Sequence, residues 1–162
     1  MRHVLSVLVE NEPGVLSRVS GLFSGRGFNI ETLNVGPTLE EGVSIMTLTT
    51  VGDDQIIEQI VKQLRKLVTV IKVVDLTDLQ AVQREMVLIK VSAEDSKRAE
   101  ILRIVDIFRC KVVDVSPDVL TIEVTGDHGK VQALVSLLQR FGIKEIAGTG
   151  TVALKRAKQL PT

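Results

Sequence analysis

The chain contains neither tryptophan nor tyrosine, and aromatic residues make up only 2% of its 162 residues. Because proteins that hold single-stranded nucleic acid stack the bases on aromatic rings, this scarcity argues against such a role. Basic residues are not in excess either, since 20 Lys and Arg side chains balance 20 Asp and Glu side chains. The zero formal net charge therefore predicts no nucleic-acid partner and no affinity for an anionic membrane surface.

Cysteine and long apolar runs are scarce as well. Cys110 is the single cysteine, so no intrachain disulfide can form, and a reducing compartment fits this usage. The first apolar run is broken by Glu10, Asn11 and Glu12, which leaves it too short for a signal peptide or a membrane span. We expect a soluble, cytoplasmic protein with no membrane partner.

The sequence does contain a pattern in which β-branched runs alternate with amphipathic stripes, and this pattern occurs twice. The first half predicts strands over 4–9, 28–35, 43–51 and 68–76, with helices after Asn11 and Asp53. The second half predicts strands over 85–91, 112–115, 119–125 and 143–147, with helices over 95–109 and 130–141. Each half has the order β-α-β-β-α-β, which is that of a ferredoxin-like sandwich.

This order predicts an α+β fold of two consecutive ferredoxin-like βαββαβ domains. We place the first domain at residues 1–77, a polar linker at 78–84 and the second domain at 85–162. The tail from Lys155 is expected to be loose.

Local residues also predict how the helices begin, end and face. Asn11 and Glu12 offer capping groups, and Pro13 suits the first helical position. Gly25 and Gly27 end that helix, because glycine accepts the left-handed conformation found after a helix. In the third helix the apolar spacing predicts these inward-facing residues: Ala99, Leu102, Val105 and Phe108.

The first strand is apolar on both faces, with Val4 and Leu8 on one and Leu5, Val7 and Val9 on the other. Helices cover only one face of such a sheet, so the other face needs the second domain, another copy or a different protein. A twofold homodimer is the default by frequency.

The loop from Asn11 to Leu16 is the first candidate site. Free N–H groups at a helix start attract a carboxylate, Gly14 permits close approach to the backbone, and the Asn11 amide oxygen can accept from an ammonium group. An ordinary capped helix start is the alternative. Asn29 is the second candidate, although a turn asparagine explains it when taken alone. Across a twofold axis, Asn29 of one copy would face Asn11 of the other.

The remaining motifs are weaker indications of a functional site. Residues 126–130 faintly resemble a phosphate-binding loop, but valines stand where the pattern needs Gly and Ser or Thr, so a helix cap by Asp127 is favoured. His3 and His128 lack neighbours at metal-ligand spacing, and no histidine is placed to activate Cys110. We therefore predict no metal site and no catalytic residues.

Several segments of the sequence resemble those of a known protein family. The first half resembles an ACT domain, a small amino-acid-sensing module, and nearly the whole chain is similar to the small regulatory subunit of acetolactate synthase (acetohydroxyacid synthase). The N-terminal motifs are specific and those of the second half are looser. The matching segments are residues 3–19, 21–23, 26–33, 46–47, 63–67 with Val70, 84–91 and 107–109.

The resemblance implies a non-catalytic chain without a cofactor of its own. It would bind and activate the large catalytic subunit, which carries thiamine diphosphate, magnesium and FAD, and would confer feedback inhibition by valine in branched-chain amino acid biosynthesis. The effector would lie between two ACT domains of a homodimer. The residues implied to bind it are Asn11, Gly14, Val15 and Leu16 of one chain with Asn29 and Ile30 of the other.

Two alternatives remain at this point. A stand-alone amino-acid sensor would use the same pocket to regulate transcription or another enzyme. A small ferredoxin-like enzyme would need a catalytic cluster that the sequence does not reveal. Leucine and isoleucine also remain as effectors, because one methylene changes binding in a pocket by only about 1–3 kcal/mol.

Overall fold

Strands and helices follow one another in the predicted order in the computed structural model, which describes residues 1–77 and 80–157. The first repeat contains these elements: β1 (Arg2–Glu10), α1 (Val15–Gly25), β2 (Ile30–Pro37), β3 (Val43–Val51), α2 (Asp54–Arg65) and β4 (Val70–Asp75). The second contains β5 (Ala81–Ser92), α3 (Asp95–Ile107), β6 (Lys111–Val115), β7 (Val119–Gly126), α4 (His128–Leu138), a 3-10 turn (Gln139–Phe141) and β8 (Ile143–Gly148). A further strand, β9 (Val152–Lys155), was not predicted. The α+β class and the double βαββαβ order are confirmed.

Each repeat forms an antiparallel sheet with the order expected of a ferredoxin-like sandwich. The first sheet is ordered β2-β3-β1-β4, and the second β6-β7-β5-β8 with β9 paired to β5. Strand β1 pairs with β3 along its whole length, from Arg2 opposite Val51 to Glu10 opposite Val43. In the first sheet the outer strands are therefore β2 and β4, and each has one edge without a partner strand among the described residues.

The helix-covered face of the first sheet carries the predicted apolar set. Leu5, Val7 and Val9 are fully buried there, together with Val19 of α1 and Ile60 of α2. The second unit has its own core. On α3 the predicted stripe is wrong in part, because Ala99 and Leu102 are exposed and the buried residues are Ile101, Ile104 and Val105. Spacing alone does not set the rotation of a helix about its axis when apolar residues occur on more than one side.

The predicted domain bounds differ from the two compact units of the structure. Among the described residues, 1–77, 80–82 and 151–157 form one unit, and Gln83–Gly150 form the other. Strand β5 begins at Ala81, inside the predicted linker, of which residues 78 and 79 lie outside the described part. The segment from Thr151, assigned above to the second domain, belongs to the first unit.

Side-chain and backbone contacts explain that assignment. The Arg2 guanidinium donates to Thr151 Oγ1 at 2.8 Å, and the Arg156 N–H donates to the Gln80 carbonyl at 2.9 Å. Residues 155–157 of the predicted loose tail are therefore placed, because β9 extends to Lys155 and Arg156 is hydrogen-bonded. Residues 158–162 lie outside the described part.

The same segment covers part of the open face of the first sheet, which is the face without helices. Val4 and Leu76 are buried against Ala153, with Val74 and Ala81 packed beside them. The chain itself therefore covers this end of the face. In the described residues no helix is long and apolar enough to span a membrane.

Ala153 and Leu154 provide a matched test of this contact, because the first is buried and the second is 69% exposed. We expect Ala153→Asp to lower the free energy of unfolding by at least about 2 kcal/mol, since it places a charge against Val4 and Leu76. Leu154→Asp should change it by less than about 0.5 kcal/mol. Urea unfolding of both variants measures the difference, and equal losses would contradict the packing described here.

Candidate functional site

The loop between β1 and α1 is fixed at its start by two backbone hydrogen bonds. The Glu10 N–H donates to the Thr69 carbonyl at 2.8 Å, and the Asn11 N–H donates to the Gly42 carbonyl at 2.7 Å. The loop is thereby attached to the segment before β4 and to the β2–β3 turn. The residues between Asn11 and α1 are consequently presented at a defined edge of the unit.

The start of α1 differs from the prediction. Pro13 is not the first helical residue and Asn11 makes no cap, because Gly14 is the N-cap, with φ +87° and no side-chain hydrogen bond to the helix start. A left-handed backbone strongly favours glycine, and it turns the chain into the helix without help from the Asn11 amide. The predicted stop after Gly25 is confirmed, with Gly27 at φ +71°.

The first turn of α1 therefore leaves N–H groups without acceptors. The Val15 N–H reaches the Glu12 carbonyl only at 3.3 Å. Within the described chain, the N–H groups of Gly14, Leu16 and Ser17 have no hydrogen-bond partner. These groups, at the positive end of the helix dipole, form an anion-binding arrangement.

The other helix starts are equipped differently. Asp53 Oδ1 accepts from the Ile56 N–H at 2.9 Å at the start of α2, and Asp127 Oδ1 accepts from the Lys130 N–H at 2.8 Å at the start of α4. The start of α3 has no side-chain cap either, but it carries Asp95 in its first turn. Among the described helices, α1 has neither a capping side chain nor an acidic residue in its first turn. The cap interpretation of Asp127 is thus confirmed.

The side chains around the first turn of α1 have distinct exposures. Val15 is 4% exposed and packs in the core, so it offers a ligand only its backbone, whereas Leu16 is 48% exposed. Asn11 is also exposed. The structure therefore places the Gly14 backbone, the Leu16 side chain and the Asn11 amide at one accessible end of the helix.

Asn29 and Ile30 lie at the opposite end of the same helix. The Thr50 hydroxyl donates to the Asn29 backbone carbonyl at 2.7 Å, the Asn29 residue is exposed, and Ile30 pairs with Thr50. The 11-residue α1 separates this end from Gly14 by about 16 Å. Within one chain the structure does not bring the two predicted halves of the site together.

The structure also shows the surroundings of Cys110 and of the potential metal ligands. Cys110 is half-buried, its thiol donates to the Phe108 carbonyl at 3.6 Å, and burial raises its pKa, which disfavours the thiolate. In residues 1–77 and 80–157, no three His, Cys, Asp or Glu side chains are grouped as metal ligands.

The surroundings of His3 were not predicted from the sequence. His3 lies buried with Asp54 and Asp75 on either side of its ring. The odd-numbered alternation that turns Leu5 and Val7 inward also predicts an inward His3, whereas its carboxylate neighbours come from separate elements that no local motif connects.

Comparisons with known proteins agree with this architecture. A family model described as the AHAS small subunit-like ACT domain matches residues 5–72, and one described as the small subunit of acetolactate synthase matches residues 84–157. The acetolactate synthase small subunit of Aquifex aeolicus is 56% identical over 96% of this chain and 81% of the relative. The probable acetolactate synthase small subunit of Archaeoglobus fulgidus is 52% identical over 98% of this chain and 99% of the relative.

A solved structure extends the agreement to the fold. The crystal structure of the acetolactate synthase small subunit from Thermotoga maritima has a TM-score of 0.87 and 45% identity, and the match covers 98% of this chain and 99% of that one. The fold and the helix start thus define a protein with an ACT domain followed by a second βαββαβ unit. The chain belongs to the acetolactate synthase small subunit family.

Gly14 and Gly21 form a matched pair for testing the left-handed helix start, because a Cβ at either position meets nothing within 4 Å. Gly14→Ala should destabilise the protein by about 1–2 kcal/mol, since alanine is strained at positive φ. Gly21→Ala, in the interior of α1, should stabilise it by about 0.5–1 kcal/mol. Equilibrium unfolding measures both, and a neutral Gly14→Ala would mean that the helix starts in another conformation.

Proposed function

We propose that this chain is the non-catalytic regulatory subunit of an acetolactate synthase. It binds and activates the large catalytic subunit in the cytoplasm and confers feedback inhibition by valine. Thiamine diphosphate, magnesium and FAD belong to that catalytic partner. Membership of the small subunit family supports the partner, and the uncapped start of α1 carries the effector part of the proposal.

The chemistry of the helix start suits one end of an amino acid. The carboxylate of valine accepts from the N–H groups of Gly14 and Leu16, which have no acceptor within the described chain. Gly14 has no side chain to block the approach, and the exposed Leu16 contacts the isopropyl group. The ammonium group requires acceptors, and the Asn11 amide oxygen is one.

The second half of the site comes from another copy. Because α1 holds Asn29 about 16 Å from Gly14 in one chain, a ligand as small as valine cannot touch both in the same protomer. Strand β2, which begins just after Asn29, is an outer strand of the sheet, so a second ACT domain can dock beside it. In a twofold dimer, Asn29 and Ile30 then face the helix start of the partner.

Charge at position 14 tests the carboxylate contact. Gly14→Asp should abolish valine inhibition of the reconstituted enzyme and leave activation intact, because its carboxylate occupies the position of the ligand's anion. Gly14→Asn is the matched control, since it has the same shape and the same backbone strain without the charge, and it should retain more of the inhibition. Acetolactate formation is measured with and without valine. Full valine sensitivity in Gly14→Asp would rule out this site, and unchanged activity of the large subunit on adding the wild-type chain would rule out the regulatory role.

Mixed dimers test whether two chains build each site. Dimers of Gly14→Asp alone, or of Asn29→Ala alone, have a defect in every site. A mixed dimer has one doubly altered site and one native site, because Gly14 of the second chain meets Asn29 of the first. Calorimetry on differently tagged, co-purified dimers should therefore recover about half of the wild-type number of valine sites. Recovery of none would contradict a site shared between chains.

A further inference from the structure

A cavity lies in the first unit, between α2 and β4. Its volume is about 310 Å³, at the lower end of the range of small-molecule sites. It adjoins β4, the outer strand opposite β2, and thus does not coincide with the proposed effector site.

His3 projects into this cavity from β1. The residue is 2% exposed, and neither ring nitrogen has a hydrogen-bond partner among the described residues. Nε2 lies 3.8 Å from Asp54 Oδ1, and Nδ1 lies 3.9 Å from Asp75 Oδ2. These separations exceed hydrogen-bonding distance, so the buried imidazole lies between two carboxylates without a hydrogen bond to either; Asp54 is itself exposed, and Asp75 is half-buried. An unsatisfied buried polar group costs about 1–3 kcal/mol.

The cations that line the cavity have partners of their own. Lys62 Nζ lies 3.3 Å from Glu58 Oε1, one turn earlier on α2. The Arg65 guanidinium donates to the Val73 carbonyl at 3.3 Å. The residues that line the cavity therefore do not favour an anionic ligand.

The remaining polar atoms favour a positively charged donor. One oxygen of Asp75 accepts from the Thr77 N–H at 2.9 Å, and its other oxygen faces His3, as does the carboxylate of Asp54. Carboxylates accept only, and a neutral imidazole supplies one further acceptor. A donor with several N–H groups would satisfy atoms that the chain itself leaves unpaired.

We propose that this cavity binds the ammonium group of a small aliphatic amine. An ammonium nitrogen placed about 2.8 Å from His3 Nε2 and from Asp54 Oδ1 spans the 3.8 Å between those atoms. In the other imidazole tautomer, Nδ1 and Asp75 Oδ2, which are 3.9 Å apart, take the same role. The buried Ile57 and the half-buried Val61 line the same cavity and contact the carbon chain. The site needs only one protomer and does not rest on the proposed effector site.

The two histidines of the chain make a direct test possible. Imidazole NMR signals of the full chain carrying Gly14→Asp, which removes the proposed effector site, are followed at fixed pH while isobutylammonium chloride is added. The His3 signals should shift and saturate. His128, in the other unit and partly exposed beside Glu85, should not respond. Sodium chloride at the same ionic strength should move neither.

Conservative variants separate an ammonium site from a mere packing effect. Asp54→Asn and Asp75→Asn keep the shape of the side chains and should each weaken isobutylammonium binding about tenfold, which is about 1.4 kcal/mol. Asp95→Asn, at the equivalent first position of α3, should leave it unchanged. Circular dichroism and thermal unfolding verify that the variants fold.

Two related compounds identify the source of the ammonium group. Isobutyrate, which has the carbon chain but no amine, should not bind. Valine that shifts His3 as isobutylammonium does would identify free amino acids as the ligands, whereas a response to isobutylammonium alone would identify amines without a carboxylate. The proposal is overturned if His3 responds only to pH, if isobutyrate binds equally well, or if both Asn variants bind as tightly as the unaltered aspartates.

Discussion

The left-handed backbone of Gly14 is the constraint on which the rest of the proposed site depends. With φ +87° at the N-cap, the chain enters α1 without a side-chain cap, and the N–H groups of the first turn remain without acceptors inside the described chain. A serine or aspartate cap would stabilise such a helix by only about a few tenths of a kcal/mol relative to the glycine that stands here. The chain does without a side-chain cap at α1 and α3 and has one at α2 and α4. Helix α1 also lacks the acidic residue that α3 carries in its first turn, and this is the arrangement a helix start needs if an external carboxylate is to serve as its cap.

Much of this architecture can be derived from periodicity. Alternation in β1 places Leu5, Val7 and Val9 on the buried face, and aspartates at 53 and 127 cap helices as their positions before apolar stripes predict. These features are local, because a strand face or a cap depends on residues a few positions apart. The candidate site was predictable to the same extent, since Gly14 and its loop are contiguous.

The features that the sequence did not reveal are set by distant contacts. Strand β9 belongs with the first unit because Thr151 and Ala153 meet Arg2 and Val4, and such contacts across nearly the whole chain have no periodic signal. Asn11 was expected to cap α1, but the glycine three residues later adopts a conformation that makes the cap unnecessary. His3 was discounted for want of neighbouring ligands, although Asp54 and Asp75 approach it from two other elements.

The energetics of the helix start are the reason the proposed effector site uses two protomers. An exposed helix terminus contributes about 0.3–1 kcal/mol toward a carboxylate, and up to about 2 kcal/mol when partly buried. Binding even at 1 mM requires about 4 kcal/mol. In the proposed site, the exposed loop around Gly14 would hold valine too weakly by this contact alone, and the proposed second chain would exclude water and add its own groups. On that proposal, effector binding and the docking of two ACT domains are thermodynamically coupled. A coupling of about 1–3 kcal/mol, typical of allosteric proteins, is within reach of a ligand that contacts both chains and favours one way of docking them over another.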